Sequence, residues 1–167
     1  MANIISYKDI ACSCSNGCMS VLMTVIGLSG SSLAQKDYEK NLIIWLMEKD
    51  QSHVGIGTVG FDITEMPWNR KHFEEQKHFM IQVLEGVMNK TGWSVLSYEP
   101  NTDIIFNKIL QLREMFMQVM QEDIDFIEVG DWFYDTKCGK AVEQRYLKCQ
   151  KHGIYLSVFG CIACNDC

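Results

Sequence analysis

Thiols and imidazoles are the residues of this chain best placed to do chemistry, and their most ordered pattern closes the sequence. Cys149-Gln-Lys-His152 and Cys161-Ile-Ala-Cys164 are two pairs, each with two residues between its members, separated by eight residues. Zinc takes thiolate and imidazole ligands, and closed four-coordinate sites of three Cys and one His are usual for structural zinc. Gly153 suits the tight turn after the first pair, and Gly160 leads into the second. The intervening Ile154, Leu156 and Val158 alternate as in a short strand. The spacing therefore predicts a small β-hairpin with zinc-ribbon-like knuckles, its metal held by Cys149, His152, Cys161 and Cys164. Cys167 stands close enough in sequence to replace Cys164. The competing use of eight cysteines is a disulfide framework, expected in small secreted domains. Here the cysteines are bunched at the two ends of a longer chain, which favours metal and a reducing compartment.

A second group, Cys12, Cys14 and Cys18, has C-x-C-x3-C spacing among Ser, Asn and Gly, and reads as a loop. With Cys138 or Cys167 it could complete a second metal site. The plainer reading, buried or surface thiols without a shared ligand, is preferred because no standard ligand spacing is present. A third group is scattered: His53, Asp62, Glu65, His72 and His78. They could form a metal or acid–base enzyme site only by converging through tertiary folding. His72 and His78 are six residues apart, so they point roughly 240° apart around a helix. Gly55 to Gly60 match G-x-G-x-x-G, but a helix rather than a strand is expected before them and none starts within them. That context is wrong for dinucleotide binding and right for turns.

The elements that must position these groups are mostly helical. A chain of 167 residues suits one domain, here a helical body over residues 1–144 with the knuckle hairpin, 145–167, packed on it. A short strand is expected at 3–7. Residues 11–35 carry no charge, and the Met19–Leu28 run within them reads as a buried helix or strand. Followed by Ser31-Ser32-Leu33-Ala34, the run also has the outline of a secretory signal, but its flanks are wrong, and ten apolar residues are too few to span a bilayer. A helix is predicted over 33–50, with Tyr38, Leu42, Trp45 and Leu46 inward, Ser32 as N-cap and Gln35 completing a capping box. A long link, 51–67, leads to a helix over 69–89 built on Phe73, Met80, Val83, Leu84 and Val87. Residues 93–99 read as a strand. The next helix, to about residue 121, has an inner face of Ile105, Ile109, Leu112, Phe116 and Val119. Phe106, Leu110, Met117 and Met120 widen that face enough to require cover on two sides. A last helix over 139–148 delivers Cys149.

Charge limits the partners. Twenty-one acidic residues against fifteen basic ones give a formal −6, which argues against a general nucleic-acid binder. Lys148, Lys151 and His152, with Arg145 nearby, leave only a small positive spot for a zinc-ribbon regulator touching nucleic acid. Residues 122–135 interleave carboxylates with large apolar side chains. Asp123, Asp125, Glu128, Asp131 and Trp132, with His53 and Asp62, make a candidate surface for a basic protein partner. EF-hand spacing is absent from them.

The stretches His53–Asp62 with Pro67-Trp68, Thr91-Gly92-Trp93 and Phe159-Gly160-Cys161-Ile-Ala-Cys164 resemble small acidic bacterial immunity proteins, which neutralise a cognate toxin. The overlap covers about half the chain and includes no diagnostic motif. The resemblance implies an inhibitor that blocks a basic nuclease or similar toxin domain by covering its active site, and the metal reading of the cysteines leads us to expect this non-enzymatic binder in the cytoplasm.

Overall fold

A computed structural model describes residues 3–129 and 146–164. Two short strands open the chain, β1 (Ile4–Tyr7) and β2 (Ile10–Ser13), paired antiparallel across a turn in which Lys8 has φ 51°. Four long helices follow among the described residues, α1 (Asn16–Leu33), α2 (Asp37–Glu48), α3 (Phe73–Met88) and α4 (Thr102–Gln118), with a further helical turn over 126–129. Between α2 and α3 lies β3 (Phe61–Asp62), which runs parallel to β1, so the sheet order is β2-β1-β3. The chain is mainly helical, as the apolar periodicity predicts.

The charge-free run forms α1, and the reason it lacks charge is its position. Met19, Leu22, Met23, Val25, Ile26 and Leu28 are all buried, with α2 and α3 packed against the helix. Of the described helices α1 alone is long and apolar enough to cross a membrane, and 61% of it is covered by the rest of the chain. Its neighbours come unusually near. A Cβ at Gly30 would collide with Ile43 of α2, and one at Gly27 would lie 2.5 Å from the Met47 sulfur. On α3, Gly86 faces Ser29, whose hydroxyl donates to the Val83 carbonyl at 2.7 Å. Buried Gln76 fastens the start of α3. Its amide oxygen accepts from the Asn69 N–H at 2.7 Å, and its amide nitrogen donates to the carbonyls of Tyr38 and Pro67.

Several local expectations are corrected. Cys12 and Ser13 belong to β2, and Cys18 to the first turn of α1, so C-x-C-x3-C straddles a strand and a helix rather than a loop. Ser15 caps α1 by accepting from the Cys18 N–H. Helix α1 runs through Ser32, which therefore caps nothing. The box at α2 is made instead by Glu39, whose carboxylate accepts from the Gln35 and Lys36 amides at 2.7 and 3.0 Å. The link 51–67 is not all loop. An isolated bridge, Asp50 to Thr58, closes its first half around Gly55 and Gly57, both at φ +80°, and β3 follows. Residues 93–95 form a 3-10 turn, not a strand, because Gly92 enters it in the left-handed region and Trp93 folds inward onto Phe106. Helix α4 buries its inner face, but Leu110 and Met117 are 56% and 52% exposed, so the described residues cover it on one side only.

Among the described residues of the C-terminal end, 146–164, no strand forms. Two isolated antiparallel bridges, Lys148–Tyr155 and Ser157–Gly160, stand where a hairpin was expected. The left-handed Gly153 and Gly160 bend the backbone out of a continuous ladder. Ile154 is buried whereas Val158 is exposed, so the alternating run does not present one apolar face. Residues 146–148 are not helical, since Tyr146 has φ 44° and Lys148 pairs with Tyr155. The remainder of the helix expected over 139–148 lies outside the described residues.

Candidate metal centre

The two Cys-containing turns are built alike. In the first, the Gly153 N–H donates to the Cys149 carbonyl at 2.8 Å, and the amides of Lys151 and His152 point at the Cys149 sulfur. In the second, the Cys164 N–H donates to the Cys161 carbonyl at 3.2 Å, and the amides of Ala163 and Cys164 point at the Cys161 sulfur. Each first cysteine thus sits in a small nest of N–H groups contributed by the second and third residues after it. Nests of this kind favour an anion, here a thiolate.

The four side chains meet in one place. All four ligand atoms lie within 4.8 Å of one another. The His152 Nδ1 is 3.6 Å from the Cys149 sulfur, 3.6 Å from that of Cys161 and 3.2 Å from that of Cys164, while the Cys149 and Cys164 sulfurs are 3.6 Å apart. A tetrahedron with metal–sulfur bonds near 2.3 Å and a metal–nitrogen bond near 2.0 Å has edges of roughly 3.5–3.8 Å. Four edges of the cluster, at 3.2–3.6 Å, come close to those dimensions, and the group can hold a metal ion with Nδ1 as the nitrogen ligand. All four residues are buried, Cys161 completely. With four protein ligands and no open side, the arrangement suits a structural site rather than one that presents water or substrate to the metal.

Electrostatics separate the two leading cysteines. Burial pushes the Cys149 thiol up, but the His152 and Lys151 amides, the His152 ring and Cys164 outweigh it and bring it down to about 6. At Cys161, burial wins and the thiol stays above its ordinary value despite the same amide pattern, with the Cys149 thiol adding to the rise. The deeper cysteine is therefore the harder to ionise without a cation beside it.

The segment is fastened to the helices. Ser31, near the end of α1, accepts from the Tyr155 N–H through its hydroxyl at 3.0 Å and from the Lys148 ammonium through its carbonyl at 2.8 Å. Tyr146 donates to the Asn41 side chain of α2 at 2.9 Å. Ile154 is wholly buried, 3.3 Å from where a Cβ on Gly27 would stand. Of the positive spot considered for nucleic acid, Lys148 is occupied by Ser31, the ring of His152 faces the thiols, and Arg145 is outside the described residues.

The remaining candidates are spread out. Among the described residues, the C-terminal four are the one group of three or more metal-binding side chains that converge. Cys12 is buried in the core, pushed up to about 11 by burial, while Cys14 and Cys18 are half-buried. Cys138 and Cys167 lie outside the described residues. His53 sits in an exposed turn over Ser52–Val54, and His78 is on the open side of α3. His72 stacks on Tyr38 with ring centres 4.3 Å apart and lies 3.7 Å from Glu75. Asp62 accepts from the Thr64 amide and hydroxyl and from the Ser6 hydroxyl, and Glu65 accepts from the Asp62 N–H at 2.6 Å.

In the acidic segment, Asp123 accepts from the Tyr7 hydroxyl at 2.5 Å and pairs with Lys8 at 3.3 Å. The Tyr7 hydroxyl, then Lys8 and the Met120 amide, hold its carboxyl below the usual range. Asp125 accepts from the Ile127 and Glu128 amides. Asp131 and Trp132 lie outside the described residues. Asp123, Asp125 and Glu128 nevertheless line one cleft of about 330 Å³ with Glu65, Trp45 and Lys49. The Lys49 ammonium lies 4.1 Å over the Trp45 ring, and burial lowers its pKa. Sequence reasoning assigned Trp45 to the core stripe alone. The signal that could have found its second role is the i, i+4 spacing of Trp45 and Lys49 on α2.

No protein-family model, curated protein or solved structure matches this chain.

Proposed function

We propose that this chain is a non-catalytic, zinc-stapled binding protein whose acidic cleft receives a cationic segment of a partner protein, as an inhibitor of a basic toxin domain would. The observation that carries the zinc assignment is the buried set of Cys149, His152, Cys161 and Cys164 at tetrahedral separations. Three thiolates and an imidazole are the donors of structural zinc sites. Such a site supplies folding energy rather than chemistry. The binding half is supported by the four carboxylates that line the cleft with one lysine, Asp123 being already paired to Lys8, and by the overall −6. A cationic group entering there would meet complementary charge beside an indole ring that Lys49 already covers.

Two measurements test the two halves. Metal analysis of protein purified under reducing conditions should find one zinc per chain. An arginine-rich peptide titrated into the zinc-loaded protein should perturb tryptophan fluorescence and bind more weakly as salt rises through the physiological range. Glu128→Gln should weaken that binding about twofold to fivefold, the worth of one exposed charge pair. Binding that ignores both salt and Glu128 would remove the cleft from the proposal while leaving the zinc site in place.

A further inference from the structure

In the first half of α1 the polar side chains Asn16, Ser20 and Thr24 recur every fourth residue and so share one face. The start of the 51–67 link lies along that face. A Cβ on Gly57 would stand 3.5 Å from the Asn16 Oδ1, and one turn further on the Ser20 hydroxyl donates to the Asp50 Oδ2 at 3.2 Å. The bridge between Asp50 and Thr58 is made by the Gln51 N–H on the Gly57 carbonyl at 2.8 Å and the Val59 N–H on the Lys49 carbonyl at 2.7 Å. These bonds flank Asp50 and Thr58 rather than join them. The two are thus a non-hydrogen-bonded antiparallel pair, the arrangement that brings facing side chains closest, with Cα atoms about 4.5 Å apart. Their side chains leave the same face, and Ser20 stands over Asp50.

Three observations there point to a ligand. Thr58 is 1% exposed, and its Oγ1 has no hydrogen-bond partner. Asp50 is 5% exposed, accepts from the Ser52 N–H at 2.9 Å and from Ser20, and pairs with no cationic side chain among the described residues. A carboxylate so enclosed calls for a positive charge beside it. The Ser20 bond is also long, since a hydroxyl on an ionised carboxylate closes to roughly 2.5–2.7 Å. Two oxygens that grip one calcium-sized ion at right angles, each roughly 2.3–2.6 Å from it, stand about 3.2–3.7 Å apart. The separation of Ser20 Oγ and Asp50 Oδ2 falls in that range.

We propose that Asp50, Ser20 and Thr58 bind one sodium ion, which ties the link to α1 and to the end of α2. Oxygen donors without sulfur or imidazole select hard cations. A single carboxylate balances one positive charge and leaves a divalent ion uncompensated. The burial of Asp50 and Thr58 also excludes the water shell that magnesium keeps. The carboxylate supplies the charge, and the two hydroxyls turn their lone pairs to the ion. Ser20 remains fixed in place, because its own carbonyl accepts from the Thr24 hydroxyl at 2.8 Å. The set shares no residue with the thiol centre or with the acidic cleft.

The test uses full-length, zinc-loaded protein in choline chloride, exchanged stepwise for sodium chloride at constant ionic strength. The urea midpoint should rise with sodium, following the logarithm of its concentration once the site is half full. The sodium NMR line should broaden when the protein is added. Asp50→Asn should abolish both effects. Thr58→Val, which keeps the shape and removes the hydroxyl, should weaken sodium binding about twofold to tenfold, the worth of one neutral buried contact, with zinc content unchanged. Equal midpoints in sodium and choline overturn the proposal and leave at most a water between Thr58 and Asp50. Sodium binding undiminished in Thr58→Val, or a larger rise with calcium at equal concentration, overturns it as well. The wild-type midpoints and line width decide this even if a variant fails to fold.

Discussion

Two sets of three described cysteines sit near opposite ends of α1, and their thiols shift in different directions: Cys149 falls, while Cys161 beside it rises as Cys12 and Cys14 do. At the C-terminal set, backbone amides converge on Cys149 and Cys161, an imidazole joins them, and Cys149 falls to about 6. At the N-terminal set, burial and thiol–thiol repulsion push Cys12 up to about 11 and Cys14 to about 12, with Lys108 too weak a counterweight. Spacing makes the difference. Two residues between ligands let a turn aim its amides at the first sulfur, while one and three residues leave Cys12 on a strand, Cys14 just past its end and Cys18 in the first turn of a helix. A cysteine becomes a metal ligand through its backbone neighbours as much as through its own chemistry.

The sharpest way to break this contrast is to delete one thiol from each set. Cys161→Ser should abolish zinc binding and destabilise the protein by several kcal/mol, because the metal's binding energy is folding energy; metal analysis with urea unfolding checks both. A variant that keeps its zinc and its midpoint would end the structural role given to the cluster.

Next in size is a pH effect of one sign at Cys149 and of the other at Cys12 and Cys14. In metal-free protein, Cys149 is ionised in the fold at about 6 but in the unfolded chain only near 9.0. The unfolded state therefore binds more protons between those values, and stability should rise with pH across them. Cys12 and Cys14, held to about 11 and about 12, reverse the sign, so stability should fall as pH rises above 9. Urea midpoints from pH 5 to 10 should show a rise that Cys149→Ser flattens.

Cys12→Ser comes third. A hydroxyl in that wholly buried position should cost about 1–3 kcal/mol, with zinc content unchanged. The smallest effect expected is for Ser31→Ala, which removes the acceptor for the Tyr155 amide at about 1 kcal/mol or more. Zinc should remain, and hydrogen exchange at Tyr155 should speed up.

The knuckles were readable because their information is local: four residue types at two short spacings bring the donors to one turn each. The stripes of α3 and α4 were readable for the same reason, since Val83, Leu84, Val87 and Ile105, Ile109, Leu112 recur at helical intervals. What escaped depended on distant partners. Phe61 and Asp62 become a strand only because Ile5 and Ser6 lie beside them. Ser32 has the form of a cap but lies inside α1, whose extent is set by α2 and α3. Even within the knuckle, the choice of Nδ1 on His152 is a matter of ring orientation that spacing does not encode. Trp45 looked like core and is core, yet its edge also walls the acidic cleft.

Gly27, Gly30 and Gly86 have no chemistry of their own, but three helices meet at them with no clearance for a methyl group. Gly30→Ala alone would force a repacking that costs roughly 1–3 kcal/mol. In a saturation mutagenesis map, these silent positions should therefore tolerate large side chains poorly, and any distant cousin of this chain would be recognised by its small residues as well as by its reactive ones.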